Sequence, residues 1–461
     1  MKRLELTRLP LVKPLLRSRW PQFLARSLAL AGFLIAILAG LLGTPVGNRN
    51  FAIVFVWIAW WALLILITVP LFGRGWCSIC PIPMPGEWLQ QGNILGPAES
   101  ERPGSLRRLV LGRRWPKPWR NIWLQNGAFT LVALFSTVVL TQPFATGIVL
   151  AGFLIIAIIT SLVYERRAFC RYLCPVGGFI GLYSQLAPVE LRVKDTRVCA
   201  AHTEKTCYTG NAEGYGCPWQ VFPGGLVKNT YCGTCMECLR TCPHDNIAIN
   251  LRSPGVDLYN PSGRKLDETY KAFIMLGSAL VYTAVLLGPW GLLKSAANQI
   301  GSIAWFVYVL AFITLIFFFL PGLFYISVAI GRRISRSKVN LRKTFIAQAY
   351  SLVPLGLAAW VAFSLSFVFA NFSYVWPAIS DPFGWGWNLT GGTGLSWTPY
   401  WMNIVPAMQV PVLSGGLSWA SQTSFRIAAE QSPPQDASRQ AWPVVVFCTL
   451  ATLALLVLLV G

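Results

Sequence analysis

Cys232-Gly233-Thr234-Cys235-Met236-Glu237-Cys238-Leu239-Arg240-Thr241-Cys242-Pro243 has the spacing C-x2-C-x2-C-x3-C-P. That run wraps a [4Fe–4S] cluster. Three thiolates in a tight loop take three corners of the cube, and the fourth, followed by proline, serves a neighbouring cluster. Zinc sites usually show paired C-x2-C knuckles instead of one run ending in Cys-Pro. Clusters of this type carry one electron at a time, so the stretch points to electron movement.

Upstream lie Cys199, His202, Cys207 and Cys217, the last also followed by a proline, Pro218. If each fourth cysteine serves the other cluster, Cys217 completes Cys232, Cys235 and Cys238. Cys242 then joins Cys199 and Cys207 and leaves one place open. His202 stands two residues beyond Cys199 in a C-x2-H pattern, where a ferredoxin would carry a cysteine, and imidazole is a known iron ligand in such sites. The plainer alternative is a surface histidine beside a three-iron site or one completed by another group. His244 reads as a nearby donor or an exposed side chain.

Two further pairs, Cys77-Ser78-Ile79-Cys80-Pro81 and Cys170-Arg171-Tyr172-Leu173-Cys174-Pro175, each follow an apolar stretch. Cys170 and Cys174 share one face if helical. Every cysteine except Cys448, together with His202, divides into three sets of four. Cys77, Cys80, Cys170 and Cys174 therefore read as a third cluster. A pair of redox-active dithiols and purely structural thiols are the other readings, and cations such as Arg74 and Arg171 suit either chemistry. Cys448 reads as a small core residue.

The chain is 54% hydrophobic and 12% charged, about half the charge of a soluble domain. About eight stretches are long enough to span a bilayer: 23–42, 51–71, 122–140, 147–164, 272–287, 303–330, 345–370 and 444–460. The fifth is short. The first has a basic lead and no clear cleavage site, so it reads as a retained span. With the N-terminus cytoplasmic, all 38 Lys and Arg residues fall inside except Arg49, Lys294, Arg426 and Arg439. The net charge of +21 is thus a topology signal, and no nucleic-acid partner is expected. The expected fold is mainly α: a polytopic protein with an inserted cytoplasmic two-cluster ferredoxin-like domain. Both termini and that insert lie on the cytoplasmic side of the cell's inner membrane, where thiols stay reduced and metal ligation outweighs disulfides.

The expected divisions are 1–187, four spans with the two membrane-edge Cys-Pro motifs; 188–268, the ferredoxin-like insert; 269–370, three spans; 371–440, an extracytoplasmic loop rich in Trp and Gly; and 441–461, a terminal span. The loop reads equally as an interfacial aromatic belt or as a docking face. The spans are read as free of acidic residues, Lys and Arg, which argues against a transporter. With no histidine in a span, a bis-histidine membrane haem is excluded, and no Walker loop or GxGxxG in a strand–helix setting marks a nucleotide site.

These motifs resemble the membrane-bound polyferredoxins, a family that includes the quinol-oxidising membrane subunit of periplasmic nitrate reduction and the ferredoxin-type membrane protein of nitrous-oxide reduction. Cys170–Pro175 and Cys199–Pro243 carry the likeness, over about residues 50–265. The first membrane motif departs as C-x2-C-P, the Cys199–Pro218 motif is stretched, and the region after 270 has no counterpart. The resemblance implies a membrane electron-transfer subunit that exchanges electrons between quinone and the redox partner subunits of a larger complex. A related branch reduces copper ions during oxidase assembly, which implies the alternative: a metal-ion reductase or assembly factor.

Overall fold

The computed structural model describes residues 3–94 and 110–460. Arg102, Arg107 and Arg108, which the charge argument used, lie outside the described residues. The helices that matter are, in chain order, α1 (Trp20–Leu42), α2 (Phe51–Phe72), α3 (Gly75–Ile79), α4 (Met84–Gln91), α5 (Trp123–Leu134), α6 (Ser136–Thr141) and α7 (Pro143–Val163). Then follow α8 (Pro175–Tyr183), α9 (Thr196–Ala201), α10 (Glu237–Thr241), α11 (Leu266–Leu287), α12 (Ile303–Ile334), α13 (Leu341–Ser380), α14 (Val405–Ala429) and α15 (Pro434–Val460). Among the described residues, seven helices are long and apolar enough to cross a membrane: α1, α2, α7, α11, α12, α13 and α15.

The expected span over 122–140 is helical but broken. Phe135 leaves helical geometry (φ −100°, ψ 9°) and splits it into α5 and α6, neither of membrane length alone. The fifth span is longer than its apolar run, because α11 starts at Leu266 with Asp267 and Glu268 in its first turn, where the helix dipole favours acids.

The chain forms two compact units. One comprises 1–37, 67–125 and 148–257; the other comprises 38–66, 126–147 and 258–461. The first holds every cysteine but Cys448. Its sheet is antiparallel with strand order β1-β3-β2, where β1 is Leu4–Glu5, β2 Val189–Val193 and β3 Ile247–Leu251. β2 meets β3 with Leu191 opposite Ile249. The N-terminal strand had no periodic signal, yet Leu4 pairs with Leu251. Arg240 then fastens the N-terminal segment by donating to the carbonyls of Arg17 (2.8 Å), Ser18 (3.2 Å) and Leu16 (3.3 Å). Under the sheet, Arg252 pairs with Glu190 (2.8 Å) and Asp257 (2.5 Å), and Arg192 pairs with Asp257 (3.1 Å). Asp257 also accepts from the Asn229 amide (2.7 Å), and Asn229 donates to the Val189 carbonyl (2.9 Å). This buried network fixes the chain three residues before the Cys232 loop.

The second unit packs α11 to α15 around large aromatics. Trp360 donates to the Met275 carbonyl (3.1 Å), and its ring meets Tyr282 edge-on. The expected loop over 371–440 contains α14, a 25-residue helix packed along α13 and α15. Its hydropathy is diluted by Pro406, Pro411, Ser and Gln, so it did not register as a span. Its packing depends on small residues instead. Gly416, Ala420 and Ser424 recur every fourth residue and are buried, and a Cβ at Gly416 would stand 2.4 Å from Ala358.

This helix also sets the C-terminus at the end of the second unit opposite Arg264, whereas the expectation had the C-terminus and the insert on one side. Arg264, just before α11, pairs with Glu430 at the end of α14 (2.8 Å). Gly331, late in α12, abuts the Gln440 carbonyl early in α15. α15 therefore starts at the end of the bundle where the chain leaves the insert, and runs to the opposite end. Arg426 and Arg439, counted as exceptions to the charge rule, lie at the insert end. A second correction concerns charge. Arg26 lies on α1, and Asp267, Glu268 and Lys271, each no more than 5% exposed, lie on α11. Glu268 accepts from the Tyr350 hydroxyl (2.5 Å). The argument against transport drawn from uncharged spans does not stand.

Candidate iron–sulfur centres

The Cys232–Cys242 run forms a loop whose shape needs unusual backbone. Thr234 (φ 45°) and Met236 (φ 64°) are left-handed, which turns successive amides the same way. Gly233 lies flat on Trp219, where a Cβ would come within 1.9 Å of the indole nitrogen. The Thr234 amide donates to the Cys232 sulfur and the Glu237 amide to that of Cys235. Cys217 is brought here from the preceding loop and accepts from the Val221 amide (3.5 Å). Burial, and next the charges of neighbouring thiols, push Cys238 up, with Cys235, Cys232 and Cys217 all close enough to act on it. Burial likewise raises Cys235, and pushes Cys232 up to about 11. Thiolates at this depth need a positive counter-charge, which ligated iron supplies.

Cys199, Cys207 and Cys242 form the adjoining set. Burial, then the charges of Cys242 and Cys199, push Cys207 up to about 11. Asn246 ties two members together: its side-chain amide donates to the Cys199 sulfur (3.3 Å) and its backbone amide to that of Cys242 (3.4 Å). His202 follows the last turn of α9. Its Nδ1 lies 2.6 Å from the Val198 carbonyl, and its ring is 4.5 Å from that of His244. Metal-bound histidines usually carry such a carbonyl partner on the non-ligating nitrogen, which leaves Nε2 to bind. Lys205 clamps the turn through the carbonyls of Cys199 and His202. The two sets adjoin, since Cys207 feels both Cys217 and Cys238.

Cys77, Cys80, Cys170 and Cys174 converge at the ends of α2 and α7. The expected helical face for Cys170 and Cys174 is a π-helical turn over Phe169–Leu173, closed by the Cys174 amide on the Phe169 carbonyl (2.8 Å). Cys174 caps α8 by accepting from the Gly177 amide (3.2 Å). Burial, and next the charge of the neighbouring thiol (Cys174 on Cys80, Cys170 on Cys174), push Cys80 and Cys174 each up to about 12. Arg167 donates to the Cys77 carbonyl (3.1 Å) and pairs with Glu87, which Arg26 also holds (2.5 Å). Burial alone would raise Glu87, but the charges of Arg167 and Arg26 outweigh it and hold the carboxyl down at about 2. Glu87 and Arg167 gave no signal in the sequence, because they meet across 80 residues of chain.

Arg74 tests whether these sets fit an anionic cluster. It is 4% exposed, stacks over Trp219 (4.4 Å) and donates to the Gly177 carbonyl. Among the described residues it has no carboxylate partner, and its Nε has no hydrogen-bond partner. Its charge reaches Cys77, Cys174 and Cys232, members of two sets. A buried unpaired guanidinium costs several kcal/mol unless a negative charge faces it. Cubes bearing four thiolates are such a charge. Trp219 Nε1 and Thr234 Oγ1, buried without partners among the described residues, are donors of the kind cluster sulfurs accept. Among the described residues no three His, Cys, Asp or Glu side chains converge as ligands of a single ion.

Residues 53–118 and 146–194 match a protein family described as a 4Fe-4S binding domain. They carry the membrane-edge thiols Cys77, Cys80, Cys170 and Cys174, and the match stops short of the Cys199–Cys242 insert. The chain is similar to the putative electron transport protein YccM of Escherichia coli, 27% identical over 29% of this chain and 36% of the relative. It is similar to the methylamine utilization ferredoxin-type protein MauN of Paracoccus denitrificans, 26% identical over 28% of this chain and 44% of the relative. It is also similar to the ferredoxin-type protein NapH of Escherichia coli, 32% identical over 18% of this chain and 33% of the relative. The chain thus spans well under half the length of the curated relatives it matches. No solved structure matches it. The likeness to ferredoxin-type membrane electron-transport proteins read from the cysteine motifs stands.

Proposed function

We propose that this protein is the membrane electron-transfer subunit of a larger complex, relaying electrons between the quinone pool and a redox partner through three [4Fe–4S] clusters. Cys217, Cys232, Cys235 and Cys238 hold one; Cys199, His202, Cys207 and Cys242 hold the second; Cys77, Cys80, Cys170 and Cys174 hold the third. The insert faces the cytoplasm, and the complex sits in the inner membrane. The observation that carries this reading is Arg74, a buried cation with no carboxylate partner among the described residues, which acts on thiols of two sets at once.

Bound cubes supply one-electron redox chemistry. The chain's own residues tune it. Amides of Thr234, Glu237 and Gly177 donate to ligand sulfurs, and Arg74 and Arg167 place positive charge between the sets. Both effects favour the more negative, reduced state. The copper-reductase alternative needs accessible, acidic thiols. Cys77 and Cys170 are buried, and desolvation pushes the half-buried Cys80 and Cys174 each up to about 12, which works against it.

Iron and acid-labile sulfide in anaerobically purified protein test the reading. About 12 irons per chain are expected, and fewer than about four refute it, because one cube alone holds four.

A further inference from the structure

A cavity of about 480 Å³ lies in the first unit, between the start of α1, α4 and the loops at 215–218 and Cys235. Its size is that of a small-molecule site. Among the described residues, its wall carries five arginines and three glutamates. Their pairing leaves positive charge over. Glu87 is shared by Arg26 (2.5 Å) and Arg167, and Glu237 by Arg19 (3.3 Å) and Arg240 (2.7 Å). Glu165, the third carboxylate, faces Arg114 (4.0 Å), which is not part of the wall. Arg166 holds no carboxylate among the described residues; it donates to the Cys217 carbonyl (2.6 Å) and lies over the Tyr208 ring (4.6 Å).

The cluster thiols account for one of the five arginines. The charges of Cys170 and Cys235 act on Arg167, so the cubes answer that cation. Arg19, Arg26, Arg166 and Arg240 are left facing two carboxylates. Partly desolvated cations in such excess call for a further anion. Donors for it are in place. The Tyr215 hydroxyl and Arg26 Nε belong to the wall and are buried without hydrogen-bond partners among the described residues. Burial pushes the Tyr215 hydroxyl up to about 12, so it keeps its proton and donates at neutral pH. Guanidinium forks and a phenol match the oxygens of a phosphate group. Phe23, Met84 and Trp88 add apolar surface to the wall. The helix that contributes Phe23 and Arg26 is of membrane length and exposes Leu24 and Leu28. Basic pockets at the edges of membrane helices suit acidic lipid head groups.

We propose that this cavity binds a phosphate-bearing anion, with Arg26, Arg166 and Tyr215 as donors to its oxygens. Its apolar side chains favour the head group of an acidic phospholipid over a soluble phosphate. The site requires no electron transfer, and stands or falls apart from the relay reading.

The test uses full-length, iron-loaded protein, stripped of lipid in a neutral detergent. Three probes are titrated by calorimetry: short-chain phosphatidylglycerol, short-chain phosphatidylcholine and inorganic phosphate. Saturable binding of phosphatidylglycerol is expected, about tenfold or more tighter than of phosphatidylcholine, whose phosphate carries no net charge with it. Tyr215→Phe should weaken binding about tenfold, the size of one hydrogen bond to a charged group. Gln91 is also part of the wall. Gln91→Glu should weaken binding roughly fifteenfold, the effect of one unit charge at about 10 Å in an effective dielectric of about 20, and Gln91→Lys should strengthen it. A merely structural role would not move affinity in both directions. All three variants should retain wild-type iron. Phosphatidylglycerol bound without inorganic phosphate supports the site and assigns it to lipid. Inorganic phosphate bound as tightly supports the site and assigns it to a soluble phosphate. The site is overturned if neither binds, if phosphatidylcholine binds as tightly as phosphatidylglycerol, or if both Gln91 variants bind like wild type.

Discussion

Removing the charge of Arg74 should lower the midpoint potentials of two clusters together. The guanidinium acts on Cys77 and Cys174 in one set and on Cys232 in the other. Reduction adds one negative charge to a cube, so a nearby cation favours the reduced form, and losing it makes reduction harder. At a separation of about 8 Å and an effective dielectric of about 20, one unit charge contributes roughly 2 kcal/mol. For a one-electron couple, where a tenfold change is about 59 mV, that corresponds to roughly 90 mV. Arg74→Gln keeps a donor for the Gly177 carbonyl and removes the charge. EPR-monitored redox titration of the reduced clusters is the assay, with iron content confirming that the sites remain filled. Both sets should shift negative by about 50–100 mV, by this Coulomb argument. The set of Cys199, Cys207 and Cys242 should move much less, since Arg74 is not among the main charges acting on Cys207. Arg74→Lys should restore most of the potential. If filled Arg74→Gln protein titrates like wild type at every cluster, no cluster lies beside Arg74, and the buried cation needs another account.

His202→Cys should still load iron, and should lower the potential of the cluster it shares with Cys242 by adding an anionic ligand, whereas His202→Ala should lose or convert that cluster and spare the one at Cys232; identical EPR spectra and midpoints in both variants would make His202 a bystander. Gly233→Ala puts a Cβ into the Trp219 indole, an overlap worth about 1–3 kcal/mol or more, so iron content should drop by about one cube. Glu87→Gln leaves Arg26 and Arg167 buried without their shared carboxylate, at a cost of about 3–5 kcal/mol in thermal unfolding at neutral pH. Because folding depresses the Glu87 pKa from 4.5 to about 2, its contribution is complete above about 4.5 and disappears as pH falls toward 2, so the gap between wild type and variant should close over that window. Gly416→Leu should disrupt the second unit through Ala358, while Gly415→Leu, with nothing within 4 Å, should not; size-exclusion profiles in detergent separate them.

What the sequence disclosed and what it hid follow from the range of the interactions. Cysteine spacing is local chemistry: thiols that share one cube lie within a few residues of one another, the spacing that Cys232, Cys235 and Cys238 have. The long apolar helices were legible for the same reason, since each is a continuous run of like residues. Features that depend on distant partners left no such trace. β1 is two residues long, and exists because β3 offers it an edge. α11 carries Asp267, Glu268 and Lys271 into the bundle because partners such as Tyr350 satisfy them, and hydropathy counts charges without seeing partners. α14 is the sharpest case. Read by hydropathy it is a loop, with proline near its start and serines throughout. Read by volume it is an interface, because Gly416, Ala420 and Ser424 form one small-residue face that lets two helices touch. That spacing was present in the sequence, and it decides topology as well as packing. A helix ending at Glu430, bonded to Arg264, forces α15 to start at the insert end and run the other way. A rule that weighs only the grease of a segment therefore passes over a helix that a rule for close packing would have found.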